Sequence, residues 1–399
     1  MLPFNRPYAT GAELRYIAQA IDNLHLSGNG PFTERCCRWL EQAAGARHAL
    51  LTHSGTGALE MAAMLLDLEP GDEVIMPSYT FVSTANAFVL RGAVPVFVDV
   101  RPDTLNLDER LLEDAIGPRT RAIVPVHYAG VAAEMDAVCA IARAHGLAVV
   151  ADAAQAVLST YHGRPVLGLG DLAAVSFHET KNVSSGEGGA LLVNDARHGR
   201  RADVIQEKGT NRREFFRGEV DKYTWVDIGS SYLPSEINAA FLYAQLEEAE
   251  RITAERLGIW SRYHEAFAEL EARGRLRRPV VPRGCGHNGH LYHLLLEDGD
   301  DRDRFLRDLR ARGVHAVFHY VPLHSSPAGA RFARPAGDLP VTTSAAARVA
   351  RLPLWAGMTG DDVELVIDAV WQAVAQPVRR AASGERFAAR RWMASDTTR

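Results

Sequence analysis

Short apolar runs alternate with amphipathic stretches through the first part of the chain. The clearest runs are residues 73–76, 94–98, 147–151 and 189–193. Most of them are rich in β-branched residues and almost continuously apolar, which is typical of strands covered on both faces. Amphipathic segments with helical spacing, such as residues 135–145, lie between the runs. The pattern predicts an α/β sheet with helices packed against it.

The pattern changes after residue 232. Residues 235–262 have apolar side chains at helical spacing and dense Glu and Arg on the other face, so we expect one long helix here. A Pro- and Gly-rich connection at 279–289 then precedes the apolar run 291–296, which predicts the start of a smaller α/β unit. The long helix is expected to link the two units.

Length supports this division, because 399 residues exceed the size at which a single core usually stops growing. We place a large domain at residues 1–245 and a small C-terminal α/β domain at 246–377. The remaining residues, 378–399, carry several arginines among small polar residues, and we expect a poorly ordered basic tail. An acidic partner for these arginines is the alternative.

Charge and composition narrow the class of protein. The formal net charge of -5 provides no basic footprint for nucleic acid, and no apolar run approaches the roughly 18 residues of a membrane span. The N-terminus has no apolar signal core, so a cytoplasmic location is expected. The four cysteines fit neither a disulfide framework nor a metal or redox motif.

A glycine turn near the start of the chain has the form of a phosphate-binding site. Ser54-Gly55-Thr56-Gly57 follows the strand-like residues 49–52 and opens the helix-like residues 58–66. Free backbone N–H groups and the positive end of a helix dipole favour an anion, and glycine lets the backbone approach it closely. An ordinary strand-to-helix turn is the alternative.

Lys181 and Asp152 add the chemistry that this cradle lacks. A lysine amine can condense with the aldehyde of pyridoxal phosphate, and a carboxylate that keeps the pyridine nitrogen protonated makes the ring an electron sink. Taken singly, Lys181 also fits a solvated loop and Asp152 a helix N-cap. Asp152 closes a strand-like run just upstream of Lys181, and together with the cradle these residues indicate a pyridoxal phosphate pocket.

The chain resembles the DegT/DnrJ/EryC1/StrS family of sugar aminotransferases. The segments that carry the resemblance occur in family order across nearly the whole chain: residues 77–84, 124–130, 152–155, 176–182 and 186–189. The resemblance implies the fold-type I architecture of pyridoxal phosphate enzymes, with a large mixed-sheet α/β/α domain and a smaller C-terminal α/β domain. It also implies a homodimer or larger homo-oligomer with shared active sites.

The resemblance assigns roles to individual side chains. Lys181 and Asp152 are the catalytic residues, Phe81 stacks on the pyridine ring, and Gln155 bonds the phenolic oxygen. Gly55, Thr56 and Ser176 contact the phosphate, and Ser231 stands where many members have an asparagine that reaches the phosphate of the neighbouring subunit. Tyr320 and His324 are expected near the sugar nucleotide. The residue-level alternatives are a core Phe, a surface amide and local backbone capping.

Within the family, one branch is the most similar, and the segments that carry this resemblance are residues 181–182, 207–212, 215–218, 221–225 and 227–233. That branch transfers the amino group of L-glutamate to C4 of dTDP-4-dehydro-6-deoxy-D-glucose and serves surface polysaccharide synthesis. The alternatives are another nucleotide-sugar 3- or 4-aminotransferase, or a non-catalytic pyridoxal phosphate-binding regulator on the same fold. A sugar dehydratase is disfavoured, because that branch replaces the lysine with histidine.

Two histidine groups are the only candidates for a metal site. His287, His290 and His293 are evenly spaced, whereas His315 and His319 lie four apart in residues 314–320, which read as a strand. Neither group is accompanied by a carboxylate or cysteine at ligand spacing, so no metal is expected.

Overall fold

The computed structural model describes residues 1–375, and the predicted basic tail at 378–399 lies outside them. The helices are α1 Glu13–Asp22, α2 Pro31–Ala44, α3 Gly55–Leu65, α4 Val82–Val89, α5 Leu112–Ala115, α6 Met135–Ala144, α7 Gly199–Gln206, α8 Arg212–Phe216, α9 Glu236–Glu247, α10 Ala249–Ala266, α11 Ala268–Ala272, α12 Gly299–Ala311, α13 Pro327–Phe332, α14 Pro340–Arg348 and α15 Gly360–Ala375. The strands are β1 His48–Thr52, β2 Glu73–Pro77, β3 Val94–Val98, β4 Thr120–Ile123, β5 Ala148–Asp152, β6 Thr160–Tyr161, β7 Arg164–Pro165, β8 Leu172–Ser176, β9 Gly189–Val193, β10 Cys285–Gly286, β11 Tyr292–Leu295, β12 Arg334–Pro335 and β13 Val349–Leu352.

A large mixed sheet forms the centre of the described chain. Its strand order is β1-β9-β8-β5-β4-β2-β3-β12. The pairs from β8 to β12 are parallel, whereas β9 runs antiparallel to both of its neighbours, β1 and β8. The predicted α/β sheet is therefore confirmed, and it is a mixed sheet, as the family resemblance implied.

Alternate residues of each central strand pack into different cores. Ile75 of β2 packs in one cluster with Leu51 and Ile123, whereas its neighbours Val74 and Met76 pack in a second cluster. This alternation follows from the pleat of a strand, which points successive side chains to opposite faces. Both faces are covered, which explains why these strands are almost continuously apolar in sequence.

A third hydrophobic cluster belongs to the C-terminal part of the chain. It contains Trp260, Tyr263 and Tyr292 and includes residues of β11, β13 and α15. Arg334 and Pro335 nevertheless pair with β3 of the large sheet, although they lie inside the predicted small domain. The boundary between residues 245 and 246 stays a prediction.

Two predicted elements are wrong. Residues 235–262 form two helices, α9 and α10, because Glu248 between them leaves helical geometry with φ −105° and ψ 7°. Residues 314–320 form no strand; only isolated bridges, from Val314 to Leu2 and from Val317 to Arg351, occur there. Helical and strand periodicities indicate the type of an element better than its continuity or pairing.

The register of β9 brings the ends of two other strands together. Gly189, the first residue of β9, pairs with Thr52 at the end of β1 and with Ser176 at the end of β8. A side chain at position 189 would overlap the backbone of Ser54 and Gly55. The missing side chain therefore lets the glycine turn after β1 lie directly against β9, and Gly55, where a side chain would meet Ser176, lets the same turn lie against the end of β8.

We predict that Gly189→Ala destabilises the protein by about 1–3 kcal/mol, because its new methyl group would overlap backbone that cannot move independently. The measurement is urea unfolding followed by circular dichroism. Gly199→Ala is the matched control, since Gly199 starts α7 and a side chain there would meet nothing within 4 Å. Equal stability of the two variants would contradict the predicted role of Gly189.

Candidate active site

A cavity of about 510 Å³ opens beside the ends of β1, β5 and β8. Eight of the ten residues that the sequence nominated line it: Gly55, Thr56, Phe81, Asp152, Gln155, Ser176, Lys181 and Tyr320. Ligands of α/β sheets bind in such crevices at strand ends. The cavity is therefore the candidate active site.

The glycine turn forms the end of the cavity where the sequence predicts phosphate binding. Ser54 caps α3, with its Oγ accepting a hydrogen bond from the Gly57 N–H at 3.0 Å. The Thr56 hydroxyl lies 2.7 Å from the Ser83 hydroxyl, and the Ser176 Oγ accepts from the His178 N–H at 3.4 Å. Because the Ser176 hydroxyl only accepts in this contact, its proton is free to point at a ligand. A helix N-terminus flanked by two hydroxyls suits a phosphate.

Asp152 lies at the end of β5 and is held by a threonine relay. Its Oδ2 accepts from the Thr84 hydroxyl at 2.6 Å, and its Oδ1 accepts from the Ala154 N–H at 3.1 Å. The Thr84 hydroxyl lies 2.8 Å from the Thr80 hydroxyl and, since it donates to Asp152, must accept from Thr80. Asp152 is 6% exposed. The relay orients a buried carboxylate while leaving it lone pairs for a ligand.

Lys181 is partly buried and shares the cavity with Asp152. Burial lowers its pKa, the Asp152 carboxylate opposes that shift, and the positive charge of Arg351 adds to it, so that the pKa falls to about 8. An ordinary lysine titrates near pH 10.4. A useful fraction of the Lys181 amine is therefore unprotonated, and nucleophilic, near neutral pH.

Gln155 and Tyr320 form the side of the cavity next to Asp152. The Gln155 Oε1 accepts from the Ala129 N–H, and its Nε2 donates to the Tyr320 hydroxyl, each at 2.7 Å. An amide nitrogen carries two protons, so Nε2 keeps one for a ligand oxygen. These contacts fix the amide orientation that the predicted bond to a phenolic oxygen requires.

Phe81 has the exposure expected of a stacking residue. It lines the cavity, precedes α4 and is 57% exposed, so it is not a core phenylalanine. Large apolar side chains at a cavity wall offer a flat face to a planar ligand. Its ring centroid lies 6.5 Å from that of Tyr320.

A buried polar network supports the loop that carries Lys181. Asn182 donates to the Asn288 carbonyl at 2.9 Å, and its Oδ1 lies 3.0 Å from the His290 Nδ1. Arg256 donates to the carbonyls of Gly289 and His290, at 3.1 and 2.6 Å. The network ties residues 288–290 to the neighbour of Lys181 and limits how the lysine can move.

Two nominated residues do not line the cavity. Ser231 is exposed and its backbone bridges to Glu207. His324 is partly buried, and its Nδ1 lies 2.7 Å from the Ser78 hydroxyl. That Ser231 reaches the phosphate in a neighbouring subunit and that His324 lies near the sugar nucleotide both stay predictions. Among the described residues, no group of three or more His, Cys, Asp or Glu side chains is placed to hold a metal ion.

Other cavity residues escaped sequence reasoning. Arg256 and Arg351 line the cavity, and Thr84 orients Asp152 from outside it. His290, named above only as a candidate metal ligand, also lines the cavity. No motif marks the two arginines, because the chain is rich in arginine and both lie far from Lys181 in sequence. Thr84 lies in the segment 77–84 that carries the family resemblance, and its place in that segment, close to Phe81, was the one indication of its role in the sequence.

The residues present fit pyridoxal phosphate. Thr56, Ser176 and the start of α3 suit its phosphate, Asp152 its ring nitrogen, Gln155 its phenolic oxygen and Lys181 its aldehyde. Each of these donor and acceptor types matches the ligand group it would meet. These residues form one continuous lining of the cavity.

Comparison with known proteins agrees with this fit. The model of the DegT/DnrJ/EryC1/StrS aminotransferase family matches residues 7–371. The chain is 35% identical over 374 residues to GDP-perosamine synthase of Caulobacter vibrioides, covering 92% of this chain and 97% of that protein. It is 33% identical over 377 residues to the spore coat polysaccharide biosynthesis protein SpsC of Bacillus subtilis, covering 92% and 96%.

Solved structures share the fold. The aminotransferase TlmJ of Streptoalloteichus hindustanus superposes with a TM-score of 0.86 at 31% identity, covering 94% of this chain and 99% of that chain. DesV of S. venezuelae superposes with a TM-score of 0.86 at 34% identity and the same coverage. These structural matches extend over both the large sheet and the C-terminal cluster.

The lowered pKa of Lys181 leads to a prediction. In cofactor-free protein, labelling of Lys181 by an amine-reactive reagent should rise with pH through a midpoint near 8. Asp152→Asn should lower that midpoint further, because the carboxylate favours the ammonium form. The measurement is quantitative mass spectrometry of the labelled peptides. The chain has only two other lysines, Lys208 and Lys222, and both are exposed internal references.

A Lys181 midpoint above about pH 10 would contradict the burial and charge arrangement described here. An upward shift in Asp152→Asn would show that the carboxylate does not act on the amine.

Proposed function

Because the chain belongs to the DegT/DnrJ/EryC1/StrS aminotransferase family, we propose that it transfers the amino group of L-glutamate to C4 of dTDP-4-dehydro-6-deoxy-D-glucose. The protein is a pyridoxal phosphate-dependent sugar aminotransferase. The proposed products are 2-oxoglutarate and dTDP-4-amino-4,6-dideoxy-D-galactose. We further propose that the reaction takes place in the cytoplasm and supplies surface polysaccharide synthesis. The described residues contain no helix that is long and apolar enough to cross a membrane.

The observation that most supports transamination is that Lys181 and Asp152 line one cavity. When bound, pyridoxal phosphate supplies the electron sink that makes the proton on the donor Cα acidic. In this proposal Asp152 keeps a proton on the pyridine nitrogen, and the Thr84 hydroxyl holds the carboxylate in place. Phe81, which lines the cavity, would stack on one face of the ring and exclude water from it.

Lys181 performs the proton transfers. Its Nζ accepts the Cα proton of L-glutamate in the first half-reaction and delivers a proton to C4 of the sugar in the second. A pKa of about 8 suits both directions, because the amine is neither fully protonated nor fully free near neutral pH. Asn182, the neighbour of Lys181, contacts His290, and this contact restricts how far the lysine can move between the two positions.

Branch resemblance supports position C4. The segments most similar to the bacterial dTDP-4-amino-4,6-dideoxygalactose transaminases are residues 181–182, 207–212, 215–218, 221–225 and 227–233. A 3-aminotransferase would use the same catalytic residues, because the position of the amine depends on how the sugar lies over Lys181. A non-catalytic regulator would bind the cofactor without converting it in the presence of glutamate.

We also propose that the active sites are shared within a homodimer or a larger homo-oligomer. Exposed apolar side chains are concentrated in and after α8: Phe215, Phe216, Tyr223, Trp225, Val226 and Ile228. The ring centroid of Phe215 lies 5.6 Å from that of Phe216 and 5.7 Å from that of Tyr223. Clustered exposed apolar side chains are typical of an interface. Ser231 follows the same segment and does not line the cavity of its own chain, which supports a role in the neighbouring subunit.

The product identifies the reaction. Purified protein incubated with pyridoxal phosphate, L-glutamate and dTDP-4-dehydro-6-deoxy-D-glucose should yield an axial C4 amine by proton NMR. Lys181→Ala should lose at least about 10³-fold in turnover, because it lacks the proton-transferring group. Its affinity for pyridoxamine phosphate should be largely retained, which is the control for an intact pocket.

An equatorial amine, or an amine at C3, would show that the sugar lies over Lys181 in a different orientation from the proposed one. Substantial turnover by Lys181→Ala would overturn the assigned role of the lysine. If L-glutamate leaves the bound cofactor unchanged, the non-catalytic regulator is favoured instead.

Hybrid dimers test the shared sites. Lys181→Ala and Ser231→Asp should each be nearly inactive alone, the second because its carboxylate repels the cofactor phosphate. When the two variants are refolded together in equal amounts, half of the dimers are hybrids. One of the two sites in each hybrid is intact, so about a quarter of wild-type activity should return. No recovery, or a fully active monomer in light scattering, would contradict a site shared between subunits.

A further inference from the structure

Glu187 lines the active-site cavity without a role in the mechanism above. The pairing of β8 with β9 continues beyond the two strands, since the Phe177 N–H donates to the Gly188 carbonyl at 2.8 Å. This register places Glu187 opposite His178. Ser176 and His178 both line the cavity, whereas Phe177 between them is buried in the core, as the alternation of a pleated backbone requires. Glu187 is therefore held on the cavity face of the loop that carries Lys181.

The Glu187 carboxylate accepts no hydrogen bond from the described part of the chain. Its Oε1 lies 3.7 Å from the His178 Nε2, which is an ion-pair distance but too long for a hydrogen bond. The backbone of Glu187 is fixed, because its carbonyl accepts from the Ser185 hydroxyl at 2.9 Å. The side chain is 68% exposed, so a ligand that enters the cavity can reach both carboxylate oxygens.

The cavity lining described for residues 1–375 contains two carboxylates, Asp152 and Glu187. Asp152 already accepts from the Thr84 hydroxyl and the Ala154 N–H, and its remaining capacity is assigned to the cofactor nitrogen. Glu187 is the carboxylate that is left for a substrate. A carboxylate only accepts hydrogen bonds, so the group that it binds must carry a proton to donate.

The two substrates differ in what they offer to this carboxylate. L-Glutamate carries two carboxylates of its own, which a third negative charge repels. The sugar carries hydroxyl groups at C2 and C3, and each of them can donate a hydrogen bond. The C3 hydroxyl is bonded to the carbon next to C4, and C4 must lie at Lys181, which belongs to the same loop as Glu187.

We propose that Glu187 accepts a hydrogen bond from the C3 hydroxyl of the acceptor sugar. This inference rests on the proposed function, since it takes dTDP-4-dehydro-6-deoxy-D-glucose as the acceptor. Both substrates occupy the same cavity in turn, and a group that attracts one of them and repels the other discriminates between the two half-reactions. Glu187 is thus a specificity-determining residue of the second half-reaction.

Binding experiments on the holoenzyme test the sugar contact. The ligand dTDP-D-glucose has the C3 hydroxyl but no ketone that can react. Its affinity in isothermal titration should fall about 10-fold or more in Glu187→Ala, as expected for a lost hydrogen bond to a charged group. Glu187→Gln keeps an acceptor without the charge and should be intermediate. The affinity for dTDP, which lacks the sugar, should not fall in either variant.

The matched control is Glu179→Ala. Glu179 is an exposed glutamate of the same loop, directly after His178, and it does not line the cavity. Its removal takes the same charge from the loop and should leave both affinities unchanged. An equal loss of affinity for dTDP and dTDP-D-glucose in Glu187→Ala would overturn the proposal, because the sugar would not be the group that is bound. Unchanged affinity for dTDP-D-glucose would overturn it as well.

The two half-reactions distinguish a substrate contact from a structural role. Cofactor absorbance reports the apparent affinity of the pyridoxal form for L-glutamate and of the pyridoxamine form for the sugar. Glu187→Ala should weaken the sugar about 10-fold or more and should not weaken L-glutamate. The loss should disappear with dTDP-4-dehydro-3,6-dideoxy-D-glucose, which lacks the C3 hydroxyl.

Equal losses in both half-reactions would show that Glu187 supports the loop and does not select a substrate. An undiminished loss with the 3-deoxy sugar would overturn the assignment to the C3 hydroxyl. Failure of the proposed function appears separately, as a wild-type pyridoxamine form that dTDP-4-dehydro-6-deoxy-D-glucose does not convert back.

Discussion

The position of β9 between β1 and β8 is the constraint on which the site depends. Gly189 pairs with the last residue of each neighbour, and the absence of its side chain lets the turn at Ser54 and Gly55 pack against β9, while Gly55 itself packs against Ser176. Any side chain at position 189 would overlap the backbone of this turn and displace it from the candidate phosphate site. The cavity is thus defined first by a backbone contact, and the chemistry of its side chains follows from where that contact places them.

The charges around Lys181 then determine how readily its amine takes up and releases a proton. Burial alone would make the Lys181 amine a neutral base, and Asp152 moderates that effect while Arg351 strengthens it. The result is an amine that can both take and return a proton near neutral pH. Arg256 and Arg351, which have no carboxylate partner among residues 1–375, add positive charge to the cavity. One arrangement of charges therefore tunes the lysine and prepares the site for anionic substrates.

The C-terminal half of the chain completes the site through polar contacts. Asn288 donates to the carbonyls of Gln155 and Val157, and Asn182 donates to the Asn288 carbonyl. Gly130 has φ 79°, and a side chain there would overlap the Asn288 amide. These contacts connect the segments that carry Gln155 and Lys181 to a loop more than a hundred residues away. Rigidity of this kind keeps reacting groups in place during proton transfer.

The sequence by itself determined the α/β class, most strands of the large sheet, the glycine turn, and the pairing of Lys181 with Asp152. Those features depend on local periodicity and on short motifs, which a single chain displays directly. Tertiary structure decided the break between α9 and α10, the absence of a strand at residues 314–320, and the presence of Arg256 and Arg351 in the cavity. These depend on which distant surfaces pack together. An arginine that serves a site and one that is merely solvated have the same sequence signature, and only their surroundings distinguish them.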